Sequence, residues 1–247
     1  GAFLAHLEEN IHCVPVLLVR GASLDECKDR VYKSIVRFMP AARASHFVRR
    51  CFIIPGSVTD TAWHSHWLLN QITHVVHMAA NTSFGVSPGM RETNVDGSVA
   101  LAKLFAARAS LVRYLHVGTA MICGKQQSRV IEEDEFPDPT ATHLVHYTQT
   151  KADAEMELAD IAVKMPFVFV RPSIIVGHTK LGVTPSASVY WVFRAFQQLK
   201  RVTWSPSTRF DVIPVDYAAQ VHAHLLLKPK LIYNRYHISA GEFASVP

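Results

Sequence analysis

A tyrosine and a lysine lie four positions apart, at Tyr147 and Lys151. On a helix this spacing puts both side chains on one face, one turn apart. An ammonium group near a phenol stabilises the phenolate and lowers its pKa from about 10 towards neutrality. Such a tyrosine can exchange a proton with a carbonyl or an alcohol. Because the chain contains seven tyrosines, chance also produces this spacing, and the surrounding elements must decide its meaning.

Thr119 supplies a second polar group upstream. The residues Leu115 to Val117 read as a buried strand, and Thr119 follows its end, at the edge where open α/β sheets bind ligands. We therefore expect the threonine hydroxyl to hydrogen-bond a substrate oxygen. Taken alone, Thr119 is more simply a strand-end residue that satisfies the backbone. The tyrosine and lysine downstream favour the functional interpretation.

Short apolar runs alternate with longer amphipathic stretches, which predicts an α/β fold with a parallel sheet and crossover helices. The predicted strands are Val14–Arg20, Cys51–Pro55, His74–Met78, Tyr114–Val117 and Phe167–Val170. The predicted helices are Leu24–Met39, Met90–Arg108 and Leu144–Val163. Ser23 and Glu26 form a capping-box pattern that predicts the start of the first of these helices.

Composition narrows the function classes. With 49% hydrophobic and 18% charged residues, the 247-residue chain is typical of a globular protein, and its apolar runs are far shorter than the ~20 residues of a transmembrane helix. No secretory signal is evident at its start. Four widely spaced cysteines without a CxxC pair favour a reducing, cytoplasmic compartment. The net charge of +5 comes without a basic run, so we expect an anionic cofactor or substrate and no nucleic acid.

Histidine pairs and a group of aromatic residues are two further patterns in the sequence. The pairs His64 and His66, and His74 and His77, lack the helical spacing and the nearby ligands of a metal site, so we expect no metal. The aromatic residues after Gly177 line an acyl pocket or belong to the core; they are Tyr190, Trp191, Phe193 and Phe196. We expect residues 1–177 to form the nucleotide-binding core and residues 178–247 a substrate-side segment interleaved with returning core elements.

Six motifs in order carry a family resemblance. They are Val75–Ala80 (VVHMAA), Asn94–Gly97 (NVDG), Val117–Ala120 (VGTA), Tyr147–Lys151 (YTQTK), Val170–Gly177 (VRPSIIVG) and Asp211–Tyr217 (DVIPVDY). The chain resembles an extended short-chain dehydrogenase/reductase, in the branch that contains male-sterility-type fatty acyl-CoA reductases and thioester reductase domains. This resemblance covers nearly the whole chain and implies a Rossmann-like, doubly wound parallel sheet with a small C-terminal substrate-side part.

The resemblance implies a role for each matching residue. Tyr147 matches the catalytic acid/base, Lys151 the residue that lowers the tyrosine pKa and holds the nicotinamide ribose, and Thr119 the hydroxyl that orients the reacting carbonyl. Asn94 matches a helix residue that supports the proton relay. The residues that match the cofactor-lining turn and the segment beside the nicotinamide are Ala79, Ala80, Pro172, Ser173 and Ile174.

The sequence departs from the family pattern at the nucleotide end. The opening strand and most of the glycine-rich phosphate loop are missing, so that Gly1 matches the last glycine of the loop and the chain is expected to be truncated. Gly56 is followed by Ser57 and Val58 where relatives usually place an acidic residue facing the adenine, a contact that Ser57 replaces only weakly.

The expected cofactor is NADP, with NAD the weaker candidate. Arg20 lies about 20 positions beyond the glycine motif, where an acidic residue would bind the ribose hydroxyl of NAD and an arginine suits a 2′-phosphate. Arg20 is otherwise a solvated strand-end cation. Arg30 either joins the same anion site or lies exposed on its helix.

The expected function is an NADPH-dependent reductase that transfers hydride to the carbonyl of an acyl thioester or an aldehyde. The substrate is then a small carbonyl compound, an acyl-CoA or a carrier-bound thioester. Three alternatives stay open: a sterol- or flavonoid-type ketone-alcohol oxidoreductase, an NAD-dependent epimerase, and a non-catalytic NADP-binding module. The substrate itself and the oligomeric state are not specified by the sequence.

Overall fold

A computed structural model describes residues 1–85, 87–125, 130–183, 194–200, 209–241 and 244–245. The strands are β1 (Val16–Val19), β2 (Phe52–Pro55), β3 (His74–His77), β4 (Arg113–Val117), β5 (Phe167–Pro172), β6 (Ile174–Val176), β7 (Arg209–Phe210), β8 (Val212–Pro214), β9 (Arg235–Ile238) and β10 (Ala244–Ser245). The helices are α1 (Ala2–Asn10), α2 (Leu24–Ile35), α3 (Ala41–Arg50), α4 (Gly97–Ala106), α5 (His146–Ala162) and α6 (Val215–Leu227). Residues 194–199 are also helical.

Parallel strands dominate the fold, as the sequence predicts. The strands β3, β4, β5 and β9 form a four-stranded sheet in this order, and all neighbours are parallel. The strands β1 and β2 form a separate parallel pair, and β6 pairs in parallel with β8. Within the described part of the chain, no strand pairs with both β1 and β3. The strands therefore form separate sheets, whereas the sequence predicts one.

Helices cover both faces of the four-stranded sheet. Since side chains alternate between the two faces of a strand, neighbouring residues of β4 contact different helices. Tyr114 of β4 lies in a buried cluster with residues of α4 and α5, such as Phe105 and Leu158. Its neighbour Leu115 lies in a second cluster with Leu226 of α6. A third cluster joins α1, α2 and α3. The doubly wound α/β arrangement is thereby confirmed.

The start of α2 follows its predicted capping pattern. Ser23 Oγ accepts a hydrogen bond from the Glu26 backbone N–H (3.2 Å). The Glu26 carboxylate accepts from the backbone N–H of Ala22 (2.7 Å), one residue before the N-cap. The prediction of a helix start is confirmed, although the reciprocal bond of the capping box is displaced by one residue.

Replacing Ser23 by alanine removes the acceptor of this cap. We expect Ser23→Ala to lower the free energy of unfolding by about 1 kcal/mol, measured by chemical denaturation. Ser34→Ala, inside the same helix, is the matched control and should cost nothing, because alanine has the higher helix propensity. Equal stability of Ser23→Ala and the wild type would contradict the capping role.

Two helix predictions differ from the structure. The first predicted helix ends at Ile35 instead of Met39, and a separate helix, α3, follows Pro40. Proline disfavours helical backbone in the residue before it, which here is Met39. The predicted helix Met90–Arg108 begins at Met90 but contains a π-helical turn (Glu92–Asp96) that continues into α4. The aromatic residues Tyr190, Trp191 and Phe193 lie outside the described residues.

Candidate active site

The tyrosine and lysine lie on the first two turns of α5. Tyr147 is half-buried, and Lys151 is 2% exposed. Lys151 Nζ donates a hydrogen bond to the backbone carbonyl of Val117, the last residue of β4 (2.7 Å). This bond holds the ammonium group at the carboxyl end of β4, two residues before Thr119.

Thr119 turns the chain away from β4. Its backbone is extended, and its hydroxyl oxygen accepts a hydrogen bond from the backbone N–H of Met121 (3.3 Å), which caps the 3₁₀ turn Ala120–Cys123. A hydroxyl group has one proton to donate besides its acceptor sites. The Thr119 hydroxyl therefore keeps its proton for another acceptor, such as a substrate oxygen.

The pKa values of this pair differ from the sequence-based expectation. Burial raises the pKa of Tyr147, whereas the sequence predicts that Lys151 lowers it. Burial also lowers the pKa of Lys151, to about 8, although the charge of Glu155 acts in the opposite direction. Removal of the phenol from water disfavours its charged form, and the ammonium group is directed to the Val117 carbonyl. At neutral pH both groups keep their protons.

Asn94 is fully buried in the π-helical turn before α4. Its Oδ1 accepts from the backbone N–H of Asn81 (2.7 Å), while Nδ2 donates to the Asn81 carbonyl (3.0 Å) and to Thr150 Oγ1 (2.9 Å). These bonds connect the loop after β3 to α5. Asn94 thus supports the helix that carries Tyr147 and Lys151, and its part in a proton relay stays a prediction.

The expected cofactor-binding residues lie at the carboxyl ends of parallel strands. Arg20 directly follows β1 and is exposed, Ser57 and Val58 follow β2, and the pair Ala79 and Ala80 follows β3. In open α/β sheets this edge is where ligands bind. The structure thus places these residues at equivalent strand ends, while Arg30 lies on the second turn of α2.

The two residues after Gly56 make specific contacts. The Ser57 backbone N–H donates to Asp60 Oδ2 (2.8 Å), so an acidic side chain does lie near this turn, three positions later than the family pattern places it. Val58 is buried, and a Cβ on Gly97 would lie 2.9 Å from its Cγ2. The glycine of the NVDG motif is therefore explained by this close approach of α4 to the turn after β2.

Gly1 and the residues at the end of β5 are the remaining residues expected to bind the cofactor. A Cβ on Gly1 would lie 2.3 Å from the backbone oxygen of Ser34, so a glycine is needed where α1 approaches α2. Pro172 is buried at the end of β5. Ser173 Oγ donates to Asp211 Oδ1 (3.2 Å), and Ile174 begins β6.

Sequence reasoning missed a buried ion pair beside the site. Arg171, at the end of β5, donates through its guanidinium to the carboxylate of Glu155 on α5, and both side chains are fully buried. A signal was present, because an arginine in the apolar run Phe167–Pro172 requires a buried partner. Glu155 lies four positions after Lys151, on the same helix face.

Two histidines lie behind Lys151 in the core. His77 Nε2 is 2.8 Å from Ser98 Oγ, and its ring lies 5.3 Å from that of His116 on the neighbouring strand. Burial lowers the pKa of both imidazoles, that of His77 to about 3, so that both are neutral at neutral pH.

Among the residues that the structure describes, no three His, Cys, Asp or Glu side chains gather as a metal site would require. No helix in the described ranges combines the length and apolar character of a membrane span.

Comparison with known proteins adds to this geometry. Residues 4–222 match the model of a family described as male sterility protein. No curated protein matches the chain. The terminal R domain from the myxalamid PKS-NRPS biosynthetic pathway is similar in structure, with a TM-score of 0.86 and 22% identity over 99% of this chain and 63% of that chain. A thiolation-reductase di-domain from an archaeal non-ribosomal peptide synthetase has a TM-score of 0.83 and 17% identity over 99% of this chain and 54% of that chain.

A third similar structure is a variant of UDP-glucuronic acid 4-epimerase from Bacillus cereus in complex with NAD and UDP-4-deoxy-4-fluoro-glucuronic acid. Its TM-score is 0.70, with 18% identity over 99% of this chain and 76% of that chain. At these identities the structures establish the fold alone. The chain spans about 63% and 54% of the length of the first two structures. Because the family model matches most of its residues, the chain belongs to the male sterility protein family of NAD(P)-binding domains.

Proposed function

We propose that the chain is an NADPH-dependent reductase that transfers hydride to the carbonyl carbon of an acyl thioester or an aldehyde. The observation that carries this proposal is the hydrogen bond between Lys151 Nζ and the Val117 carbonyl. It draws the helix with Tyr147 to the strand end that continues into Thr119. We infer that a phenol, an ammonium group and a hydroxyl then border one site, a set that suits carbonyl reduction.

Each of the three side chains has a chemical task in this reaction. Thr119 donates a hydrogen bond to the carbonyl oxygen and orients it, and Tyr147 gives that oxygen its proton. An aldehyde thereby becomes an alcohol. A thioester becomes a hemithioacetal, whose hydroxyl proton passes to the sulfur as the C–S bond breaks, so that the thiol leaves and an aldehyde forms. The raised pKa of Tyr147 keeps the phenol protonated, which suits the reductive direction. Lys151 uses its remaining N–H donors to hold the ribose next to the nicotinamide. NADPH, when bound, supplies the hydride.

The nucleotide-binding residues fit such a dinucleotide. Gly1 allows close packing at the start of α1, as the last glycine of a dinucleotide-binding loop does. The turn of Ala79 and Ala80 is fixed through Asn94 and presents small side chains at the strand end. Ser57 and Val58 would hold the adenine, and the segment Pro172–Ile174 would hold the nicotinamide. Arg20 is exposed at the end of β1 and free to meet a 2′-phosphate.

Arg20 makes the cofactor preference testable. Arg20→Ala should raise the Kd for NADPH roughly tenfold to a hundredfold, because charge-assisted hydrogen bonds to a phosphate are lost. The Kd for NADH, which lacks this phosphate, should stay unchanged and is the matched control. Arg30→Ala tests whether Arg30 belongs to the same anion site. Fluorescence titration with both nucleotides measures these constants, and equal losses for NADPH and NADH would contradict a 2′-phosphate contact.

Known structures support the substrate class. One similar structure is the terminal R domain of a PKS-NRPS biosynthetic pathway, and another joins a thiolation and a reductase domain, which favours an acyl thioester bound to a carrier or to CoA. We also propose a cytoplasmic location, with which the four free cysteines, Cys13, Cys27, Cys51 and Cys123, are compatible.

A substrate panel tests the proposal directly. The protein is mixed with NADPH and a long-chain acyl-CoA, the matching aldehyde or a ketosteroid, and the loss of NADPH absorbance is followed. We expect turnover with the acyl-CoA or the aldehyde. Turnover with the ketosteroid alone would assign the chain to the sterol-type reductases. Tight binding of NADPH without turnover of any substrate would favour a binding module.

A further inference from the structure

The buried ion pair of Glu155 and Arg171 has no task in the proton transfer described above. Arg171 Nε donates to both carboxylate oxygens of Glu155 at 3.2 Å, and its Nη2 also donates to Oε1. The two side chains are 1% and 0% exposed. Because removing two charges from water is costly, such a pair is weak evidence for stability alone and requires another explanation.

The ion pair lies directly beneath the end of β4. A Cβ on Gly118 would lie 3.8 Å from Glu155 Oε2 and 3.9 Å from Arg171 Cγ. Gly118 separates Val117, whose carbonyl accepts from Lys151, from Thr119. The ion pair therefore packs against the glycine that links Val117, the acceptor of the Lys151 hydrogen bond, to Thr119.

Arg171 also fixes the loop that runs back towards α5. Its Nη1 donates to the carbonyl of Glu133 (3.2 Å), and Nη2 donates to the carbonyl of Glu135 (2.7 Å). The Glu133 carboxylate accepts from the backbone N–H of His237 on β9 (2.6 Å). One guanidinium thus joins a strand, a helix and this loop at the same point.

We propose that the Glu155–Arg171 ion pair is a positioning device, in which Arg171 fixes the Glu155 carboxylate one helical turn from Lys151, so that its negative charge attracts the Lys151 ammonium group beside Thr119. The inference rests on the proposed function in taking Lys151 and Thr119 as parts of the reaction centre. Glu155 and Arg171 act through Lys151 and touch no substrate. Helix geometry supports this assignment, because Tyr147, Lys151 and Glu155 follow one another at intervals of four on α5.

Glu155 is the negatively charged group that acts on the ammonium group of Lys151. Burial lowers the pKa of Lys151 to about 8, and Glu155 is the group whose charge raises it. The other groups that face Lys151 are neutral at neutral pH: Tyr147 on its own helix, and His77 and His116 on β3 and β4. Two cations contact Glu155 itself: Arg171, and Arg235, whose Nε lies 3.7 Å from Glu155 Oε1.

The first test measures NADPH binding against pH. Lys151 should hold the ribose only as an ammonium ion, so the affinity falls above its pKa. Glu155→Gln keeps the size of the side chain and removes its charge, and we expect the midpoint of this fall to move down by about one pH unit. Glu157→Gln is the matched control, since Glu157 lies on the same helix and pairs with Arg91 at the surface. The same midpoint in Glu155→Gln and the wild type would overturn the proposal.

The second test needs neither cofactor nor activity. The pKa of Lys151 is lower in the folded state than its ordinary value of 10.5, so the folded protein loses this proton first and its stability rises with pH between about 8 and 10.5. Lys151→Met should abolish this rise. Glu155→Gln should make it begin at lower pH, and an unchanged onset would overturn the proposal. If Glu155→Gln does not fold, Glu155→Asp replaces it, because the shorter side chain moves the carboxylate away from Lys151. Glu155→Asp should also make the rise in stability begin at lower pH. An unchanged onset in this variant would overturn the proposal.

The two tests separate the two proposals. A wild-type protein that binds no NADPH would contradict the proposed function, and the stability measurements would still decide whether Glu155 controls the charge of Lys151. Normal NADPH binding with identical pH profiles in Glu155→Gln and Glu157→Gln would contradict only the positioning role.

Discussion

Tyr147→Phe should lower kcat for carbonyl reduction on the order of 10³-fold, because the substrate oxygen loses its proton donor. Phenylalanine keeps the ring of the half-buried tyrosine and removes only its hydroxyl group. The Lys151 bond to the Val117 carbonyl involves no atom of Tyr147, so the helix stays in place. We therefore expect the Kd for NADPH and the melting temperature to change little while kcat falls. Stopped-flow or steady-state consumption of NADPH measures the loss.

A matched tyrosine makes this result specific. Tyr233 is exposed and precedes β9, so it lies near the amino end of that strand, opposite to the edge that carries Thr119. Tyr233→Phe removes the same hydroxyl without touching the site, and its kcat should equal that of the wild type. If Tyr147→Phe kept a tenth or more of the activity, the proton would have to come from another group, and the half-buried phenol would serve only to pack the helix.

The pattern of hydrophobic residues was sufficient to predict the elements that carry the site. Short apolar runs predicted β3 and β4 to within a residue at their ends, because a strand covered on both faces has few polar positions. The Tyr147–Lys151 spacing predicted a common helix face, and α5 provides it. These features are local in sequence, so local patterns can predict them.

The details that fix the site depend on contacts between distant residues. The π-helical turn at Asn94 accompanies bonds from its amide to Asn81 and Thr150, which lie 13 and 56 positions away. The sequence pattern around Asn94 is that of an ordinary helix. Burial by the surrounding chain raises the pKa of Tyr147, an effect that the helical spacing to Lys151 alone does not predict.

The path of the loop between β4 and α5 also could not be predicted from local sequence patterns. Its described residues contain no long apolar periodicity, and their path follows the guanidinium of Arg171, which bonds to carbonyls 36 and 38 positions earlier. The family resemblance included Arg171 only as a letter of the VRPSIIVG motif. Its burial in an apolar strand was the signal that a carboxylate had to lie nearby.

Removing Arg171 should have the largest effect on stability. Arg171→Met leaves the buried Glu155 carboxylate without its guanidinium and removes the hydrogen bonds from Arg171 to the carbonyls of Glu133 and Glu135. Breaking a buried ion pair on one side typically costs about 3–5 kcal/mol, and the lost hydrogen bonds add to that cost. We expect a loss of this size in the free energy of unfolding, measured by denaturant titration at neutral pH.

The double variant Arg171→Met/Glu155→Met is the control that separates charge from packing. Without the carboxylate no charge is left unpaired, and two methionines fill part of the volume, so the double variant should be more stable than Arg171→Met alone. Arg235, whose Nε lies 3.7 Å from Glu155, reduces the cost of the single variant, and adding Arg235→Met to Arg171→Met should lower stability further. If the double variant were as unstable as the single one, the loss would come from the loop carbonyls, and the ion pair would contribute little to the fold.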